Sequence, residues 1–114
     1  MKRGDVINIL NNLGASPKYL GYNYIVDESV LIDAYNAKKK KVLLKEVHSV
    51  IANKYSKRGL TVERDIRSCI EGTFKNGNLN YIYELFFGSQ AYYQERPSNK
   101  LFLTTIVNYL NKDE

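Results

Sequence analysis

Arg64 and Arg67 stand three residues apart in the stretch TVERDIRSCIE, Thr61 to Glu71. A guanidinium is a planar fork that donates two parallel hydrogen bonds, which is what O6 and N7 of guanine accept in a major groove. Around the pair, Val62, Ile66, Cys69, Ile70 and, a turn further on, Phe74 recur at helical spacing and mark one buried stripe. Arg64, Arg67, Ser68, Glu71 and Lys75 fall on the other side of the same helix. An ordinary surface helix also carries charge there, so the pattern alone decides nothing.

The remaining reactive side chains offer less. His48 is the only histidine, and it has neither Cys nor clustered carboxylates at ligand spacing. It therefore reads as a surface or partly buried helix residue, not as a metal ligand. Asp65 and Glu71 are not spaced to share a helix face and recommend no acid–base pair. No serine lies in a nucleophile elbow and no glycine-rich loop has the phosphate-cradling form. No enzyme activity, cofactor or metal is expected. The single cysteine, Cys69, cannot close an internal disulfide and reads as a reduced core residue of a cytoplasmic protein. Tyr92 and Tyr93 either stack on a partner or cover the core.

The elements that must position these residues follow from the totals and the spacing. The chain has 114 residues, enough for one core but not two. With 44% hydrophobic and 25% charged residues it is of globular composition, which argues against wholesale disorder. Its apolar runs are too short for a transmembrane helix, and MKRGDVINIL lacks the apolar segment of a signal peptide. The net charge of +5 is compatible with a polyanionic partner without requiring one.

Almost every apolar segment has helical spacing. In DVINILNNLG, Val6, Ile9, Leu10 and Leu13 share a face and Gly14 is a natural stop. Ser16 as N-cap and Pro17 at the first helical position predict a short turn of helix. A second helix, Tyr22 to about Ala37, carries Ile25, Val26, Val30 and Ala34 inward. The run Lys38 to Lys41 then either offsets the negative end of that helix's dipole in solvent or tracks a phosphate backbone. A third helix over Val42–Tyr55 buries Leu43, Val47, Val50, Ile51 and Tyr55. After the break at Gly59 comes the arginine-bearing helix, ending where Gly77 takes a left-handed cap. LNYIYELFFG predicts a short apolar helix ending at Gly88. The last helix starts from Ser98 as N-cap. The expected fold is all-α: one domain over residues 1–114, a compact bundle of about six helices containing a helix-turn-helix.

In a helix-turn-helix the first helix crosses the DNA backbone and the second enters the major groove. The third and fourth helices here have that form. Arg64 and Arg67 lie in the first two turns of the second, where base edges are reachable. Lys54, Lys57 and Arg58 sit just before it, where phosphates would pass.

VERDIRSCIE resembles the recognition helix of the sporulation initiation response regulators of endospore-forming bacteria, whose pattern is close to V-E-R-A-I-R-H-A-I-E. The resemblance continues through IANKY at Ile51–Tyr55, LGASPKYLGYNY at Leu13–Tyr24 and GN at Gly77–Asn78. It also takes in LFFG at Leu85–Gly88 and RPSN at Arg96–Asn99, so it covers nearly the whole chain. It implies the C-terminal effector domain of that family, an all-helical module that binds double-stranded DNA through the helix around Thr61–Lys75. Carried over by position, Glu63, Arg64 and Arg67 would face base edges, with Arg64 addressed to a guanine. Ser68 and Glu71 would join them, and Lys54, Lys57, Arg58, Thr61 and Lys75 would meet the backbone. The family's box contains a C-G-A-A core, domains sit head to tail on tandem sites, and members contact the sigma subunit of RNA polymerase.

The chain also departs from the family pattern. Ser68 replaces a histidine and Thr61 a basic residue. Arg58-Gly59 stands where a threonine cap is usual, which leaves the helix start anywhere from Arg58 to Thr61. The loop before Pro97 is one residue shorter. No phosphoacceptor receiver segment is present in the sequence, so the expectation is either an excised fragment or a free-standing effector domain. Two functional readings follow. One is a sequence-specific transcription factor domain. The other is a protein-interaction module that has lost specific DNA binding and pairs with a full-length regulator or the sigma subunit.

Overall fold

Along the chain run α1 (Arg3–Leu13), α2 (Leu20–Ala37), α3 (Leu44–Lys54), α4 (Gly59–Asn76), α5 (Leu79–Ile82) with a π-helical turn at Tyr83–Phe87, and α6 (Asn99–Asn111). The computed structural model describes residues 1–87 and 96–112, and among these there is no strand. Gly88, Tyr92 and Tyr93 lie outside the described residues.

α2 is the axis of the bundle and packs against α1, α3, α4 and α6. Its residues Tyr24 to Ser29 are all buried, Asp27, Glu28 and Ser29 included. A helix enclosed on several sides has no solvent face over that stretch, so a one-stripe reading of its spacing fails. Ile25 and Val26 are buried as expected, but Val30 is only half-buried and Ala34 is exposed. α1 buries Val6, Ile9, Leu10 and Leu13 as its spacing predicts. Complete burial of a Leu or Ile of this kind stabilises by about 1.5–3 kcal/mol.

The region before α2 is a turn, not a helix: Tyr19 N–H donates to the Ser16 carbonyl at 3.2 Å, and Lys18 N–H to Ser16 Oγ at 3.3 Å. α3 is shorter than expected and rotated. Leu43 and Val50 are exposed and Tyr55 is half-buried, while Val47, His48, Ile51 and Ala52 face inward. The expected apolar helix after α4 is one α-turn continued by the π-helical turn. That turn sets Phe86 parallel to Phe102 of α6, ring centroids 5.1 Å apart, with Phe74 of α4 tilted against it at 5.5 Å.

Three helices end in the same way. After α1, Ala15 N–H donates to Leu10 O and Gly14 N–H to Asn11 O; after α2, Lys40 donates to Tyr35 and Lys39 to Asn36. After α3, Lys57 donates to Ala52 and Ser56 to Asn53. These are Schellman closures, which require a left-handed residue. Gly14 (φ 83°) supplies it for α1, but Lys39 (φ 55°) and Ser56 (φ 56°) supply it for the others. Gly77 does not take that conformation: its φ is −85° and ψ −166°. Glycine is needed there because a Cβ would overlap the carbonyls of Leu13 and Thr73, where the ends of α1 and α4 meet.

Candidate nucleic-acid interface

The link between α3 and α4 is set by the closure at Ser56, and α4 then begins at Gly59, with Thr61 and Val62 N–H groups donating to Arg58 O at 3.0 and 3.1 Å. Thr61 is thus inside the helix. α4 buries Val62, Ile66, Cys69, Ile70 and Thr73, and the Thr73 hydroxyl donates to Cys69 O at 2.8 Å. Burial raises the Cys69 thiol pKa to about 11, so it stays protonated and inert.

On the opposite side, Glu63, Arg64, Arg67, Ser68 and Glu71 line one open groove of about 600 Å³. These are the five residues expected at base edges. Their circumstances differ. Arg64 is exposed and, among the described residues, makes no side-chain hydrogen bond or ion pair. Arg67 is half-buried; its Nη1 donates to the Pro97 carbonyl at 2.6 Å and its Nε lies 3.8 Å from Glu71. The carbonyl of Glu63 accepts from Asn99 Nδ2 at 3.1 Å, leaving its exposed carboxylate toward the groove.

The expected backbone set is more scattered. Lys57 and Arg58 are exposed at the turn, whereas Thr61 is half-buried. Lys54 Nζ is drawn to Asp27 Oδ2 at 3.1 Å. That buried carboxylate also pairs with Arg3 and accepts from the Tyr55 hydroxyl at 2.5 Å, tying α1, α2 and α3 together. Lys75 lies about 21 Å along the axis from Thr61, at 1.5 Å per residue, and does not line the groove. The lysine run Lys38–Lys41 is exposed at the far end of α2, with Lys40 over the Tyr35 ring at 4.7 Å.

Sequence reasoning missed two features. The far wall of the groove is the start of α6, with Ser98, Asn99 and Lys100. Nothing in a single helix's spacing signals a neighbour 36 residues away. The other is His48, which is buried and not at the surface: its Nδ1 lies 2.7 Å from Oε2 of Glu28, itself fully buried. Burial pushes the Glu28 carboxyl above its usual range, against the opposite pull of His48. Among the described residues, no group of three or more His, Cys, Asp or Glu is placed to hold a metal ion. No helix among them is long and apolar enough to cross a membrane.

The arrangement therefore offers a helix seated by its apolar side, with long donors and acceptors on an open face and cations at its entry turn. A family model described as the sporulation initiation factor Spo0A C terminal matches residues 6–110.

Proposed function

The chain belongs to the Spo0A C-terminal family of DNA-binding sporulation regulators, and from that premise we propose that it reads a C-G-A-A-containing box by laying α4 in the major groove. The observation that carries this reading is the groove face of α4, where all five expected base-facing residues are gathered and Arg64 is uncommitted. Arg64 addresses a guanine. Lys57 and Arg58 take phosphates at the entry to the helix. Two further parts rest on the family resemblance: domains placed head to tail on tandem boxes, and contact with the sigma subunit of RNA polymerase.

Titration of duplexes with and without the box, at physiological salt, tests the reading. Clear preference for the box is expected, and equal affinity for both would overturn it. Arg64→Ala should cost about 1–3 kcal/mol and relax discrimination at one base pair. Lys57→Ala should weaken all duplexes alike and flatten the salt dependence.

A protein-interaction module without specific DNA binding is favoured by one observation. Arg67 is engaged by Pro97 and Glu71, which removes donors from the reading face. That reading predicts a complex with the sigma subunit in size-exclusion chromatography without DNA, together with no box preference.

A further inference from the structure

The groove beside α4 has a second wall, and its two walls are fastened together. Arg67 Nη1 holds the Pro97 carbonyl at 2.6 Å, and Asn99 Nδ2 holds the Glu63 carbonyl at 3.1 Å. Pro97 is buried, so the entry to α6 has little freedom to drift from α4. Ser98 Oγ accepts from Leu101 N–H at 3.1 Å, which fixes the first turn of α6 and with it the direction of Lys100.

Within this groove the charges sort themselves. Arg67 and Glu71 lie within 3.8 Å and offset each other. Arg64 on one wall and Lys100 on the other are exposed and, among the described residues, have no side-chain partner. The two differ in what they can recognise. An arginine fork matches a base edge, whereas a lysine ammonium is a compact, strongly hydrated point charge suited to a phosphate oxygen. A recognition helix in the major groove is flanked by sugar-phosphate strands, because the groove is only about 12 Å wide.

We infer that Lys100, at the start of α6, is a backbone contact that takes a phosphate of the duplex while Arg64 on the facing wall addresses the bases. Arg67 and Asn99 are positioning residues, holding the two walls at a fixed separation. This rests on the DNA reading above. It adds a contact on an element outside the helix-turn-helix, so the protein would grip the backbone from α6 as well as from the α3–α4 turn.

The test compares wild type, Lys100→Ala and Lys100→Gln with Lys112→Ala, at several salt concentrations, on box and scrambled duplexes. Lys112 is the control because it lies about 18 Å further along α6, at 1.5 Å per residue. Both Lys100 variants are expected to bind box and scrambled duplexes several-fold more weakly, with the box preference retained. The slope of log K against log salt should fall by about 1, the signature of one lost phosphate contact. Lys112→Ala should match wild type. A wild-type slope in both Lys100 variants would overturn the inference while leaving the DNA reading in place. Loss of box preference would overturn it too, by making Lys100 a base reader. A wild type that binds neither duplex would overturn both; one that binds both equally would overturn only the specific reading, since the slope still reports on Lys100.

Discussion

Two arginines of the same helix have different fates because of one neighbour. Arg64 meets solvent, while Arg67, almost one turn on, reaches the Pro97 carbonyl and is half-buried by doing so. Side-chain type and spacing cannot separate these roles; only the position of α6 does. The same holds for Glu28 and His48, twenty residues apart in sequence and 2.7 Å apart in space. Burial penalises the charged form of Glu28, and its carboxyl pKa is raised from an ordinary value of 4.5 against the opposite pull of His48. A raised carboxyl means that the folded state holds its proton longer than the unfolded chain does. Its contribution to stability is full below the unfolded pKa and is lost as pH rises through the folded value. Denaturant unfolding of wild type and Glu28→Gln from pH 4 upward should show wild type losing stability relative to the variant as pH rises. Parallel curves would show that Glu28 is not the group responsible.

At the scale of the element, α4 is seated against α2, and the two backbones come close at Gly21. A Cβ there would overlap the Asp65 carbonyl oxygen and stand 2.8 Å from Ile66 Cα. Helix propensity favours alanine over glycine by about 1 kcal/mol. The contact predicts the opposite sign: Gly21→Ala should destabilise by about 1–3 kcal/mol, as overpacking does. It should also weaken box binding, since α2 and α4 must separate. A thermal melt above that of wild type would refute this. The helix ends make a second case. Ser56 adopts the left-handed conformation that closes α3, at a steric cost that glycine does not carry. Ser56→Gly should therefore stabilise the protein by about 0.5–1 kcal/mol, read as a rise in denaturation midpoint. A scan for glycine stops finds Gly14 but not Lys39 or Ser56, because their closure is visible only in the hydrogen bonds.

At the scale of the molecule, among the described residues buried side chains from α1 through α6 form one cluster, and the radius of gyration is 13.4 Å. A folded chain of this length is expected near 13 Å, at about 2.2 N^0.38 Å. The amino-acid sequence by itself determined the helical class, the faces of α1 and α4, the Ser98 cap and the gathering of donors on one side of α4. Each of these depends on residues within a few positions of one another, where a period of 3.6 and the chemistry of a cap are local. It misjudged α2 because a helix enclosed by neighbours loses the contrast between apolar and polar faces, and α3 because apolar Leu43 and Val50 stand exposed while polar His48 is buried. Tertiary packing alone decided that Arg67 is anchored and Arg64 exposed, that His48 is buried on Glu28, and that Lys100 stands across the groove. All three depend on contacts between segments distant in sequence, and the position of one helix against another is fixed by side-chain packing and not by either helix's own spacing.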